Sequence, residues 1–420
     1  MKVQASEIKY PINTEFGDIF LHSHEVRDGD GNVLFRSARD FYPGLQPKEA
    51  FRSARYKDLQ YFIVTLCSFR NSAALLNRIR IQDKGAKATT IRNQVEREGE
   101  KIAQEKTELA KKAFAENGSF DENGFKKPDV KIEMSEAMKQ TAEEKDVRKA
   151  MIEFGVCSEV SGYEKPGTAV NISIDEVTCK HQTNTRPYVG DSSKAQKQVR
   201  NTVIHVEKGK DSYIIVGVNM KDAVFQLCGF LVAEDLIGTC PITFYGDGAR
   251  NISNMVSAYF GYLDYRFFLD WPHLVKRLSE DLSSSISGGK DKRNEILDKL
   301  KARLWLGDVS AAIELLDSIP AKFIKPDASL NKIKEYLNNR RSIIPCYAIR
   351  QKLGLRISSN RVEKSNDLAV SSRQKNNGMA WSNEGSFGLA SISVASLNNE
   401  ITDWVYNRKM ELKFNAKAAA

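Results

Sequence analysis

Between residues 168 and 273 the sequence alternates short apolar runs with helical patterns, and this order restricts the possible fold more than any other feature. Three consecutive apolar runs predict strands at 170–179, 199–208 and 212–220. Further patterns predict a helix from Asp222 to Glu234, a strand at 241–246, a helix at 250–260 and a strand at 264–269. Because strands that alternate with helices form a sheet covered by helices, this segment predicts an α/β domain.

Three acidic residues stand at informative places in this pattern. Asp175 and Asp247 each end an apolar run, and Glu363 lies where a later helix begins. Three strands followed by helix, strand, helix and strand is the order of a ribonuclease H-like core, in which the first and fourth strands are neighbours. The two aspartates can then meet, and carboxylates that converge can hold two divalent metals for phosphodiester chemistry. The alternatives are capping of turns or helices by the aspartates and a solvated helix face for Glu363.

The charge of the chain favours a polyanionic partner. The net charge is +9 and the pI is about 9.0, although a merely soluble surface would account for both values. Residues 274–356 break the strand and helix alternation and predict an all-helical block. Residues 271–356 carry seventeen Lys and Arg against ten Asp and Glu, a net of +7. We expect this basic block, which separates the second acidic residue from the third, to contact phosphates.

The N-terminal third is predicted to contain an arm and a helical region. Residues 1–55 predict a β-rich or irregular arm, and residues 56–115 predict two short helices, a turn and a third helix, which is the outline of a helix-turn-helix. Arg92 and Asn93 on the third helix are the candidate DNA contacts, and a plain helical linker with solvated charges is the alternative. The apolar stripe of that helix could pack within its own domain or against a second subunit. Residues 116–150 predict a linker or an exposed helical segment.

The remaining sequence features concern the compartment. The six cysteines have no CxxC spacing and form no Cys/His cluster typical of zinc. The N-terminus lacks the apolar core of a signal peptide, and no apolar run approaches the ~18 residues of a membrane span. We therefore expect a cytoplasmic protein without a membrane partner.

Three stretches carry a resemblance to a known family. They are Ile174–Val177, Tyr245–Ala249 with Leu269–Leu274, and Asn360–Asn366 running into Arg373–Ser382. In these stretches the chain resembles bacterial DDE-type insertion-sequence transposases, over about residues 170–390. It is similar to groups in which a helical insertion separates the second Asp from the Glu. The resemblance implies a ribonuclease H-like core in two parts, 151–273 and 357–420, with the basic helical insertion at 274–356.

The same resemblance implies a mechanism and partners. Asp175, Asp247 and Glu363 would bind two Mg²⁺ ions, for which Mn²⁺ could substitute. Water attack would nick the end of the element, and the freed 3′-hydroxyl would attack target DNA. The partners would be double-stranded DNA, both element ends and target, bound by a homodimer or higher oligomer at the bacterial nucleoid. Two rival readings are a metal-dependent nuclease or junction resolvase on the same core and a domesticated, inactive DNA-binding protein.

Secondary candidates surround the acidic residues. His273 could contact the scissile phosphate, or it could be structural, with Asp270 capping a helix that has Pro272 in its first turn. Trp381 could stack on an unpaired base, or it could be a core tryptophan. The candidate phosphate contacts are Arg361, Lys364, Arg373 and Lys375.

Overall fold

The computed structural model describes residues 4–36, 38, 45, 50–81, 85–119, 141–182, 197–325, 330–375 and 378–414. The chain forms two compact units. Unit 1 comprises Met1–Glu105, Cys179–Val199 and Leu368–Glu411, and unit 2 comprises Lys106–Thr178, Arg200–Asp367 and Leu412–Ala420. The sequence predicted a core in two separated parts, 151–273 and 357–420, with continuous segments elsewhere, whereas both compact units combine distant segments with other bounds. Much of the predicted linker, residues 120–140, lies outside the described residues.

The secondary structure contains two sheets and many helices. The strands are β1 (Gln4–Thr14), β2 (Gly17–Arg27), β3 (Val33–Arg36), β4 (Phe51–Arg52), β5 (Val170–Lys180), β6 (Gln198–Lys208), β7 (Asp211–Gly217), β8 (Ile242–Gly246) and β9 (Tyr265–Leu269). The helices of the first half are α1 (Ala54–Leu66), α2 (Phe69–Ile79), α3 (Ala88–Asn117), α4 (Glu144–Phe154), α5 (Met220–Ala233) and α6 (Arg250–Phe260). The helices that follow are α7 (Trp271–Ser285), α8 (Gly289–Trp305), α9 (Val309–Asp317), α10 (Asn331–Asn338), α11 (Tyr347–Lys352), α12 (Asn360–Asn366), α13 (Ser372–Gln374), α14 (Asn383–Leu397) and α15 (Ile401–Asn407), with a π-helical turn at Asp367–Ser371.

Unit 1 combines a small sheet with helices. The sheet has the order β3-β2-β1-β4, in which β1 and β2 form an antiparallel hairpin and β4 runs parallel to β1. Ser53 caps α1 and Ser68 caps α2, because each hydroxyl accepts a hydrogen bond from a backbone amide of the first helical turn. The N-terminal arm is therefore β-rich in its described part, and three helices follow it in the predicted order.

The apolar stripe of α3 packs within its own chain. Ile91, Val95 and Ile102 are buried. Gly99 lies so close to Gly388 of α14 that a Cβ atom at position 99 would stand 2.2 Å from the Gly388 carbonyl oxygen. Only glycine allows two helix backbones to approach this closely. The close crossing favours packing of this stripe within its own domain over packing against a second subunit.

The larger sheet belongs mainly to unit 2 and has the order β7-β6-β5-β8-β9. Strands β6 and β7 are antiparallel, whereas β5, β8 and β9 are parallel to one another. The sheet shares one buried core with α5 and α6, in which Ile172 and Phe244 are fully enclosed. The α/β character is thus confirmed, and so is the expectation that the first and fourth strands of this segment are neighbours.

Helices occupy the chain between β9 and α12. Helices α7 to α10 share a core to which α8 contributes Ile296, Leu300 and Leu304. Helix α11 carries Arg350. Its guanidinium is buried and donates two hydrogen bonds, of 2.6 and 3.2 Å, to the buried carboxylate of Glu164. In the described part of residues 274–356 there is no strand, only an isolated bridge, so the helical prediction is confirmed there.

Candidate functional site

The first two acidic residues of the predicted trio lie just beyond the paired part of two neighbouring parallel strands. Ser173 of β5 and Tyr245 of β8 form the last pair of this ladder, and Asp175 and Asp247 each stand two residues further along the chain. Asp175 is half-buried and Asp247 is exposed. Asp247 also accepts a hydrogen bond from the Ala249 amide at 2.8 Å, so the turn-capping role weighed as its alternative is present. Neighbouring strands thus bring two carboxylates to one edge of the sheet.

The third acidic residue faces a histidine. Glu363 stands in the first turn of α12 and its side chain is 51% exposed. Its Oε1 lies 3.8 Å from Nε2 of His273, and the other ring nitrogen, Nδ1, lies 2.8 Å from Oδ2 of Asp270. Asp270 also caps α7 and accepts a hydrogen bond from the Ser359 amide. The structural role weighed for His273 is therefore present, and the same contacts aim its outer nitrogen at Glu363.

The charges around His273 favour its protonated form. The hydrogen bond to Asp270 raises the pKa of His273 above its usual 6.5, burial opposes this, and the negative charges of Asp270, Glu363 and Asp247 add to the rise. Burial alone would raise the pKa of Asp270, but hydrogen bonds from His273 and from the Ser359 amide hold the pKa of this carboxyl below its usual range. These contacts favour the cationic form of the imidazole beside Glu363.

Asp175 is the carboxylate whose charge is least favoured. Burial raises its pKa above the usual 3.8, and the negative charges of Asp247 and Glu363 raise it further. The hydrogen bond from the Glu176 amide and the interaction with His273 lower it, but they do not outweigh the rise. Its Oδ2 accepts a hydrogen bond of 2.6 Å from Nδ2 of Asn366, a residue of α12. Asp175 therefore experiences the negative charge of both other carboxylates, and a bound cation would relieve this repulsion.

The donor chemistry of this edge suits a hard cation. Carboxylate and amide oxygens are the ligands preferred by Mg²⁺, and Oδ1 of Asn366 is buried without a hydrogen-bond partner. Within the described ranges, no three Asp, Glu, His or Cys side chains stand close enough together to form a ready metal site. The residues fit the cation by donor type, and Asp175, whose pKa is raised by burial and by the neighbouring carboxylates, would gain most from its charge.

The other predicted contact residues divide into exposed and buried groups. Arg92, Asn93 and Lys375 are exposed, as a DNA contact requires. Arg361 and Lys364 are exposed as well, with carboxylate oxygens of Glu207 and Asp367 at 3.7 and 3.8 Å. Two residues differ from the expectation. Arg373 is 3% exposed and donates to the Val64 carbonyl, and Trp381 is 6% exposed and donates to the Gln374 carbonyl. Their contacts are internal, so the core role weighed for Trp381 matches its placement.

Two residues of the site were not singled out as functional from the sequence. Asn366 stands three positions after Glu363, a spacing that puts both on one helix face, so the spacing alone could have indicated it. His205 of β6 donates to or accepts from Ser365 of α12 at 2.9 Å. No sequence pattern links these two residues, because they are 160 positions apart. Both contacts hold the Glu363 helix against the sheet.

One prediction concerns the charge on His273. Replacing Asp270 with Asn keeps a good helix cap but removes the negative charge beside Nδ1, so the pKa of His273 should fall. A histidine with a raised pKa stabilises the fold below its unfolded pKa, and this stabilisation is lost as the pH rises through the folded pKa. The variant should therefore lose stability at low pH relative to wild type. NMR titration of the His273 ring measures the pKa directly, and an unchanged value would contradict the assigned contact.

Comparisons with known proteins give little further information. No protein-family model matches the chain. No curated protein matches it. Among solved structures, the Drosophila P element transposase strand transfer complex is similar at a TM-score of 0.24 and 12% sequence identity, over 89% of this chain and 84% of that chain. A likeness at this level carries no argument about fold or function. Across the described ranges, none of the helices combines the length and the apolar character needed to cross a bilayer.

Proposed function

We propose that the larger sheet, with its flanking helices, is a ribonuclease H-like core and that the protein is a DNA transposase of an insertion sequence. The observation that carries this proposal is the adjacency of β5, which contains Asp175, and β8, which Asp247 follows, together with the approach of His273 to Glu363. The strand order, with three strands before the first helix and the fifth strand at the edge, supports the same core. Helices α7 to α11 then form a basic insertion between Asp247 and Glu363.

In this proposal Asp175, Asp247 and Glu363 hold two Mg²⁺ ions. When bound, the two ions lower the pKa of the attacking hydroxyl and stabilise the leaving oxygen of a phosphodiester. Asn366 fixes one oxygen of Asp175 and offers a further neutral oxygen to the site. The contact between His205 and Ser365 keeps α12 against the sheet. The protein thereby contributes alignment of the carboxylates, and alignment is a large part of phosphoryl transfer catalysis.

His273 adds a positive charge to this edge. Its Nδ1 is held by Asp270, and its Nε2 is free to approach a phosphate oxygen near Glu363. Because its pKa is raised, the imidazolium form persists to higher pH than in an ordinary histidine. Arg361 and Lys364, exposed on the same helix as Glu363, extend the positive surface along which a DNA backbone can bind.

The test is an Mg²⁺-dependent strand-transfer assay with DNA ends taken from the sequence that flanks the gene. Wild type is compared with Glu363→Gln, which keeps the shape of the side chain and removes its charge. We expect joined products from the wild type and none from the variant, although both bind the DNA ends equally. Lys364→Gln, at the neighbouring exposed position, serves as the control and should reduce joining only a few-fold.

Each other outcome has a distinct meaning. Cleavage without joining by the wild type would favour a nuclease or junction resolvase on the same core. DNA binding without either reaction would favour an inactive DNA-binding protein. Equal joining by wild type and Glu363→Gln would remove Glu363 from the site and contradict the proposal.

A further inference from the structure

A second cluster of charged residues surrounds a cavity in unit 1. The cavity has a volume of about 570 Å³. Five cationic side chains line it: Arg52, Lys57, Arg97, Lys101 and Arg408. Glu98 is the only carboxylate among its described lining residues. So many like charges around one cavity repel one another unless an anion lies between them.

Helix α3 supplies one wall of this cavity. Thr90, Gln94, Arg97 and Lys101 follow one another at intervals of four, three and four residues, which places all four side chains on one face of the helix. The face thus presents a hydroxyl, an amide and two cations in a row. Hydroxyl and amide groups donate hydrogen bonds to an oxyanion while the cations supply charge.

The opposite wall supplies the remaining cations. Arg52 ends β4 and Lys57 stands on the first turns of α1. The Lys57 ammonium lies 5.9 Å from the centre of the Phe51 ring, which restricts the position of its side chain. Burial lowers the pKa of Lys57, and the nearby charges of Arg408, Arg52 and Lys101 lower it further, against the attraction of Glu98. A bound anion would reverse the effect of these charges.

The one carboxylate is already committed to other partners. Glu98 is 4% exposed, and its Oε1 accepts hydrogen bonds from Nε1 of Trp404 at 2.9 Å and from the Arg408 guanidinium. These bonds hold the pKa of Glu98 below its usual range in spite of burial. Glu98 therefore orients Arg408, and it supplies one negative charge against the five cations that line the cavity.

We propose that this cavity is a phosphate-binding site. Guanidinium groups bind phosphate oxygens through paired N–H donors, and lysines add point charges. The phosphate could belong to a DNA backbone or to a free nucleotide. The DNA source rests on the proposed function, and the exposed Arg92 and Asn93 on the same helix would extend such a contact.

The test measures binding of phosphate probes to the full chain. The variant is Lys57→Gln with Lys101→Gln. The matched control is Lys9→Gln with Arg55→Gln, which removes the same charge from two exposed positions outside the cavity. The probes are a fluorescent DNA duplex over a range of salt concentrations, a mononucleotide, inorganic phosphate and a polyglutamate peptide. Thermal unfolding of each protein verifies that the variants fold.

For DNA, we expect the slope of log affinity against log salt to fall by about two in the cavity variant, with affinity at 0.1 M salt reduced roughly tenfold or more. The control should keep the wild-type slope. Loss of mononucleotide or inorganic phosphate binding in the cavity variant alone, with DNA binding intact, supports the site and assigns it to free phosphates. Equal losses in variant and control, no loss with any phosphate probe, or cavity-dependent binding of polyglutamate alone would overturn the proposal.

The failure of this inference can be separated from failure of the proposed function. Suppose that the wild type joins DNA and the cavity variant binds every phosphate probe as the wild type does. This result would refute the phosphate site and leave the transposase proposal intact. Cavity-dependent phosphate binding by a protein that never joins DNA would support the site and refute the transposase.

Discussion

Replacing Asp175 with Asn should lower DNA joining by about 10³-fold or more without destabilising the fold. The loss follows because a neutral amide cannot replace a charged ligand in a site built to stabilise transition-state charge. The fold should be maintained or gain stability, because Asp175 is a half-buried carboxylate whose charge is opposed by burial and by Asp247 and Glu363. The two measurements are the strand-transfer rate and the free energy of unfolding.

The raised pKa of Asp175 also predicts how the stability of the fold changes with pH. The pKa of Asp175 is raised in the folded state, so the folded protein binds its proton more tightly than the unfolded chain. Stability therefore decreases as the pH rises from the usual value of 3.8 through the raised value, and the Asn variant should lack this decrease. Asp222→Asn is the control, because burial also raises the pKa of Asp222 but this residue lies in the first turn of α5, where it accepts a hydrogen bond from the Val218 amide. If Asp222→Asn reduced joining as strongly, the role of Asp175 would be structural.

Replacing Arg350 with Met should destabilise the protein by about 3–5 kcal/mol. Arg350 is fully buried, and the substitution leaves the carboxylate of Glu164 buried with Arg266 as its only ion-pair partner among the described residues. It also removes the hydrogen bond to the Tyr245 hydroxyl, in the strand that leads to Asp247. Chemical denaturation measures the free energy of unfolding, and joining should fall with the loss of folded protein.

The neighbouring helix position provides the control for this second prediction. Lys352 of the same helix forms an ion pair of 2.9 Å with Glu153, and both side chains are nearly half exposed. Exposed pairs contribute about 0–1 kcal/mol, so Lys352→Met should change stability little. A loss of similar size in both variants would show that the helix, and not the buried pair, determines the effect.

Local patterns in the sequence predicted much of the sheet. The strands predicted at 170–179 and 199–208 are observed at 170–180 and 198–208, and the helix predicted at 250–260 has those bounds. These elements are short apolar runs that end at turn residues, so burial and local propensity indicate the same structure. The adjacency of β5 and β8 followed from the order of elements alone.

Long-range pairing was beyond the reach of the same patterns. Arg373 was predicted to contact phosphate, and Arg350 lies in the block that was predicted to be basic, yet both are buried although arginine is mostly exposed in proteins. The partners that permit this burial, Glu164 and the Val64 carbonyl, are 186 and 309 residues away in the sequence. Periodicity reports which face of an element is buried, but it does not report which distant segment covers that face.

The contact between Gly99 and Gly388 has a consequence for how the protein is made. Unit 1 combines residues up to Glu105 with residues from Leu368 onward, so its N-terminal part leaves the ribosome long before its partner segment exists. At about 5–20 residues per second, that wait lasts roughly 10–50 s. During synthesis α3 therefore lacks α14 as a packing partner, and this nascent segment should depend on chaperones more than the sheet of unit 2 does.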